Sequence, residues 1–364
     1  MSLYWIRVTM LCACVFSATV VYQRAAFGDD LAPLSDEFDD AGTVSDWSRI
    51  NVTEQWFADQ LEQFDVSVSQ LGRMVLMPFT VVWYGDFRGP LVYKEVMGDF
   101  VVTTQVRSTG RDGVSVPQSQ YSLAGLMIRA PRGITPPTWM PGGENYVFFS
   151  LGHGDNGGTS FQVEVKTTMN SVSNLTLTNV SADTAILQIA RLGDYVIVLR
   201  QEPGEPWIVH RRYNRSDFPS TLQVGAVSYT NWEKAQTFAP FVHNSTVLDP
   251  PLPPEVTDPS PGLPFNPDVI GSYDYIRFFR PTLPADLVGV DLTDEGLVTD
   301  EELLAFLGDV ANVPAGVPAV PTVSTWGAII LLGLMLIAGT CVFRFRNGTS
   351  SLSKSKRWVA RPDP

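Results

Sequence analysis

Cysteine is nearly missing from this chain of 364 residues, and the three present sit away from the bulk of it. Cys12 and Cys14 lie in an N-terminal apolar run and Cys341 in a C-terminal one. The stretch between them has none, which excludes a disulfide scaffold, a thiol nucleophile and a Cys-ligated zinc site there. Histidine is equally scarce: His153, His210 and His243 are too far apart to show metal-ligand spacing. Positive charge is short as well, and unevenly placed. Six Lys/Arg against Asp363 give residues 344–364 a charge of +5, Arg7 and Arg24 give residues 1–28 +2, and the total of −13 leaves −20 on residues 29–343. A body that acidic repels phosphate backbones, which argues against nucleic acid as a partner. Segments of helical period are few.

What is present begins with targeting segments. In residues 1–28, Arg7 supplies a positive n-region, Val8 to Tyr22 an apolar core and Ala26-Phe27-Gly28 small residues for cleavage, the pattern of a secretory signal. Near the other end no residue from Gly327 to Phe343 is charged, about the minimum length for a membrane-spanning helix, with Trp326 before it and Arg344 and Arg346 after it. The expected orientation is an exported acidic body, a single C-terminal transmembrane anchor and a basic cytoplasmic tail. A disulfide-free exported body of this size suits a bacterial cell envelope. The expected segments are a signal (1–28), a β-domain (29–284) with a Pro-rich loop or insertion at 249–268, a short acidic helix and Pro/Ala spacer (285–319), the anchor (320–346) and the tail (347–364).

From Phe38 to about Phe279 the pattern is strand after strand. Phe100, Val102 and Val106 alternate with Val101, Thr103, Gln105 and Arg107, a period of two. Leu123–Arg129 and Tyr146–Leu151 are more apolar, as central strands should be. Phe161, Val163 and Val165 alternate with Gln162, Glu164 and Lys166, which predicts a half-exposed strand. Residues 185–191 and 195–201 flank Gly193-Asp194 as a hairpin, and 207–213 extends it to a meander. Thr221–Thr230 and Tyr273–Arg280 complete the set. Such spacing argues for an all-β sandwich or barrel. Asp300–Gly308 predicts a short amphipathic helix.

The outward set Arg129, Gln162, Glu164 and Lys166, with Trp139 and Trp232 in neighbouring loops, could combine aromatic faces with polar side chains, as sugar recognition requires. The same residues also fit a solvated charge pattern with tryptophans as core lids. Asp291–Glu302 matches the twelve-residue calcium loop at positions one, six, eight and twelve, or else is an acidic helix start.

Two resemblances follow from these residues. Pro321-Thr322-Val323-Ser324-Thr325-Trp326-Gly327, the apolar helix and the arginines resemble the IPTL-type C-terminal sorting signal of bacterial envelope proteins, which implies a sorting protease of the exosortase type as partner. Phe38-Asp39-Asp40 with Trp47, Gly98-Asp99-Phe100, Ala124–Arg129, Glu144-Asn145-Tyr146, Glu164-Val165-Lys166, Leu222–Gly225 and Asp274–Arg277 together resemble the concanavalin A-like, laminin G-like jelly-roll superfamily, in its uncharacterised bacterial extracellular branch. That likeness implies an all-β jelly-roll sandwich of two antiparallel sheets, one concave, where relatives often bind or cut polysaccharide. It also implies a structural calcium ion tying the first and last strands, for which Asp39, Asp40 and Asp274 are the candidates. The Glu-x-Asp-x-x-Glu pattern of the superfamily's retaining glycosidases is not spelled here, and Glu164 alone cannot be both acid and nucleophile. A noncatalytic lectin-like module, a hydrolase pairing Glu164 with a distant carboxylate, and a purely structural surface protein all stay open.

Overall fold

The structure is a computed structural model and describes residues 29–248 and 268–308. The chain divides into two compact units, Met1–Ala315 and Gly316–Pro364, and every described residue falls in the first. The expected signal, nearly all of the Pro-rich stretch, the sorting motif (Pro321, Thr322, Ser324, Trp326, Gly327), the anchor and the basic tail lie outside the described residues. Among the described residues no helix is long and apolar enough to cross a membrane.

Two seven-stranded antiparallel sheets face each other, and strands are numbered along the chain. The first sheet runs in the order β1 (Ser48–Arg49), β4 (Leu91–Met97), β13 (Thr221–Tyr229), β6 (Ser122–Arg129), β7 (Tyr146–His153), β8 (Phe161–Met169), β9 (Val172–Val180). The second runs β12 (Ile208–Asn214), β11 (Tyr195–Gln201), β10 (Thr184–Leu192), β5 (Phe100–Thr109), β14 (Ile270–Phe279), β3 (Met74–Pro78), β2 (Leu61–Val66). This is an all-β two-sheet sandwich, consistent with a jelly roll.

Period-two alternation decides which side chains fill the space between the sheets. Leu126 and Ile128, Val147 and Phe149, and Val163 and Val165 meet Val102, Val106, Leu187, Ile189 and Ile276 in one buried core. Each such side chain contributes roughly 1.5–3 kcal/mol by leaving water. The expected hairpin forms, with Leu192 opposite Tyr195. Gly193 there has φ 60, which fits the first central position of a II′ turn, where a Cβ would be strained. β14 carries a bulge at Asp274, the extra residue between Tyr273 and Tyr275, which leaves Asp274 turned toward Arg73 at 3.3 Å.

One expectation is corrected. β8 is not half-exposed: Glu164 and Lys166 are buried on the face away from the core. Both outer sheet faces are covered. On the second sheet, residues 284–308 fold back, and Leu287, Leu292, Val298, Leu303 and Leu307 pack on Val101, Ala190, Leu192, Ile197 and Leu199. The last turns of that cover are a helix, Asp300–Leu307, opened by a capping box between Thr299 and Glu302. On the first sheet the cover is a strap, residues 79–90, supported by α1 (Ile50–Thr53), α2 (Trp232–Ala235) and α3 (Pro240–Ser245).

Candidate functional site

The strap crosses the outer face of the first sheet and returns. It starts in backbone pairing, Val81 N to Thr230 O at 3.1 Å and Thr230 N to Val81 O at 2.8 Å. Trp83 then inserts fully, its ring edge-on to Tyr146 at 5.3 Å and its indole N–H donating to Pro90 O at 3.1 Å. The tip reaches the β8–β9 turn, where Ser171 Oγ donates to Asp86 Oδ1 at 2.6 Å and Gly85 N to Ser173 Oγ at 2.9 Å. On the way back Arg88 N donates to Asn244 Oδ1 at 2.9 Å. His243 Nε2 accepts from Val82 N at 3.0 Å, so that ring is neutral, and burial first, then Arg88, pulls its pKa down to about 4.

Beneath the returning limb lies a buried ion network. Arg129 donates to Glu144 at 2.8 and 3.2 Å, to Glu54 at 2.7 Å and to Gln223 at 2.7 Å. Arg88 pairs with the other oxygen of Glu54 and stacks over Trp56, 4.2 Å from the ring centroid. Burial alone would raise Glu144, but Arg129 and Arg132 overcome it and hold the carboxyl at about 2.

Beside the strap remains a pocket of about 230 Å³. Val82, Trp83 and Leu175 form its walls, Lys166 and Tyr229 its floor, and Tyr84, Tyr121 and Trp232 its rim. The floor is a chain of hydrogen bonds. Lys166 Nζ donates to Trp83 O at 2.7 Å and lies 2.9 Å from Glu164 Oε1. Tyr229 donates to Glu164 Oε2 at 2.8 Å. A phenol has one proton, so Ser150, 3.0 Å from the Tyr229 oxygen, is the donor in that contact. Burial pulls the Lys166 ammonium below its ordinary pKa, against the pull of Glu164. Burial and Glu164 push Tyr229 well up, so it stays a donor. The ammonium also lies over the Phe148 ring, 4.5 Å from its centroid. The rim is held by unusual backbone: Tyr121 has φ 54, and Asn231, which caps α2 just before Trp232, has φ 67. A bulky residue in the left-handed region costs on the order of 1–3 kcal/mol, and such residues cluster where a ligand is held.

Of the residues expected at a site, the structure brings Lys166 and Trp232 into the pocket, with Glu164 directly below. It places the others elsewhere. Arg129 is fully buried in the ion network. Gln162 accepts from the N–H groups of Gly154 and Asp155, both at 3.0 Å, and so shapes a turn. Trp139 packs on Phe241, 5.7 Å away, outside the pocket. Glu164 and Lys166 are not a solvated charge pattern but a buried pair. Asp39 is exposed, Asp40 caps Gly42 N at 2.8 Å and Asp274 pairs with Arg73. Asp36 instead joins the leading segment to β14, through two 2.9 Å backbone bonds with Ile276. Among the described residues no group of three or more His, Cys, Asp or Glu gathers to hold a metal. In the 291–302 loop, Asp291 bonds Thr293 and Asp294 bonds Gly296, as turn caps do. His153 is a buried strand-end residue whose Nε2 accepts from Gly158 N at 2.8 Å.

The sequence reading missed Tyr229, Tyr121 and Tyr84. Tyr229 had a signal, since it shares a face with Gln223, Gly225 and Val227. Tyr121 and Tyr84 lie in loops, where periodicity is silent.

No protein-family model matches the chain, and no curated protein matches it. Solved structures do. A functionally unknown protein from Saccharomyces cerevisiae aligns at 13% identity over 66% of this chain and 99% of its own, TM-score 0.41. The GH43 protein BlXynB from Bacillus licheniformis aligns at 12% over 67% of this chain and 39% of its own, TM-score 0.41. SCLam, a non-specific endo-β-1,3(4)-glucanase of family GH16, aligns at 10% over 68% and 89%, TM-score 0.38. Likenesses of this degree bear on neither the ligand nor the chemistry of the pocket.

Proposed function

We propose that this is an exported, membrane-anchored envelope protein whose sandwich binds a glycan in the Lys166 pocket without cleaving it. The observation that carries the reading is the pairing of an aromatic rim, Tyr84, Tyr121 and Trp232, with a polar floor, Lys166 and Tyr229. Sugar rings offer apolar faces to aromatic side chains and a hydroxyl rim to such donors. Hydrolysis fits less well. It needs two carboxyl groups roughly 5–9.5 Å apart, one of them free to move a proton. Glu164 is fully buried, with Lys166 on one oxygen and Tyr229 on the other. Glu54 and Glu144 are held by arginines. Export and anchoring rest on the signal and sorting patterns alone, with the exosortase-type protease as the proposed processing partner.

The test is a glycan-array screen of the full chain in detergent, followed by titration of the best hit. Binding without reducing-sugar release, reduced about tenfold or more in Trp232→Ala, is the expected result. Turnover that disappears in Glu164→Gln would replace this reading with a hydrolase. Protease added to intact cells should remove the sandwich and spare residues 347–364.

A further inference from the structure

We infer that the pocket takes a single terminal residue of a neutral glycan, end-on, and that the strap sets this mode; the inference rests on the glycan reading above. A polymer bound along a sheet needs an open run with subsites on both sides of the first ring. Here the run is blocked. The strap comes from β3, pairs through Val81 with Thr230 at the end of β13, crosses to Ser171 and Ser173 where β8 turns into β9, and runs on into β4. Trp83, wholly buried, fills the middle of that crossing. On the other flank Tyr121 N donates to Gly154 O at 2.9 Å, which ties the 154–158 loop to the rim. What is left measures about 230 Å³, below the roughly 300–1,000 Å³ of clefts that hold drug-sized ligands, and suits one ring.

Charge selects the class of ligand. Lys166 is neutralised by Glu164 at 2.9 Å, so the pocket floor carries no net charge to attract an anion. The surrounding body carries −20, which disfavours polyanionic chains. The match is a hydroxyl-bearing neutral residue, one face against the rim rings and a hydroxyl oxygen accepting from Lys166.

The experiment titrates the full chain in detergent with cello-, laminari- and manno-oligosaccharide ladders of one to six residues, and with oligouronates of the same lengths. End-on capture predicts that within the ladder that binds, affinity changes by less than about threefold from monomer to hexamer. A rise of more than about tenfold with length overturns end-on capture while leaving glycan binding intact. Tighter binding of oligouronates overturns the neutral class. No binding of any ladder, together with a blank glycan array, removes the glycan reading and this inference with it. The strap's part is read separately: Asp86→Ala frees the tip from Ser171 and from Gly142 N, and should raise the hexamer-to-monomer affinity ratio. An unchanged ratio in a folded Asp86→Ala chain overturns the strap's role. Ser171→Ala, which removes one of those bonds, serves the same reading if Asp86→Ala does not fold.

Discussion

The two sheets are covered by opposite means. Over the second sheet, residues 284–308 lay leucines and valines on valines and leucines, with polar ties only at the margins: Gln188 Nε2 donates to Leu307 O at 2.8 Å, and Arg212 donates to Leu292 O at 3.2 Å and Val298 O at 2.6 Å and pairs with Asp300. Over the first sheet, the strap is held by arginines, carboxylates, a neutral histidine and an asparagine, and leaves a pocket beside it. Apolar cover is non-directional: it stabilises in proportion to area, wherever the contact falls. Polar cover must satisfy each group in place, and wherever a group is left with a donor to share, a ligand can complete it. The first kind is a lid for stability; the second can be a site.

The largest effect is expected at the most polar point of the strap's support. Arg129→Ala leaves Glu54 and Glu144 buried without their main partner, and removing one member of such a network costs about 3–5 kcal/mol. Urea denaturation checks it. A loss under about 1 kcal/mol would mean the network is hydrated and the strap is held by its backbone pairing instead. Leu303→Ala is the matching cut on the apolar side. Leu303 is fully buried, and the cavity should cost about 3 kcal/mol. The comparison requires that this variant, while folded, bind ligand as the parent does. A parallel loss of binding would show that the two covers are coupled through the core.

Acid separates the covers next. With its pKa pulled from 6.5 down to about 4, His243 favours folding fully above pH 6.5 and progressively loses that contribution as pH falls toward 4, up to about 3 kcal/mol. His210 on β12, also pulled to about 4 by burial and then Arg200 and Arg211, works in the same direction. Asp268 works against both: burial pushes it up to about 6, so its contribution is lost as pH rises through 6. The net expectation is a protein less stable to urea at pH 4.5 than at pH 6.5. His243→Asn should flatten that slope, because the Val82 N–H then no longer depends on a ring that protonates. An unaltered slope in the variant would assign the acid sensitivity elsewhere.

How much of this was legible follows from which force acts locally. Alternation at Phe100–Val106 and Phe161–Lys166 marks strands because side chains two apart share a face, a continuous apolar run marks Leu123–Arg129, and the structure has β5, β8 and β6 there. The same rule put Glu164 beside Lys166. It does not show that both are buried, because their cover comes from residues 79–90, far away in sequence. β9 gives no strand signal in the sequence, because its Ser, Thr and Asn residues on an edge strand look like loop chemistry. Arg129 lies on the outward face with Glu164 and Lys166, but its partners Glu54 and Glu144 are set by the fold rather than by spacing.

The smallest expected effect tests whether the apolar cover depends on its own helix. Thr299 caps Asp300–Leu307, its Oγ1 accepting from Glu302 N at 3.2 Å while Glu302 Oε2 accepts from Thr299 N at 2.8 Å. Both groups are exposed, so neither contributes through burial, and Thr299→Ala removes only the cap, worth about 1 kcal/mol. If Leu303 and Leu307 hold the cover by packing, the loss should stay near that figure in urea denaturation, with hydrogen exchange quickening only in residues 300–304. A loss of the size expected for Leu303→Ala would mean that the helix forms before it packs and that the cover is no firmer than its first turn.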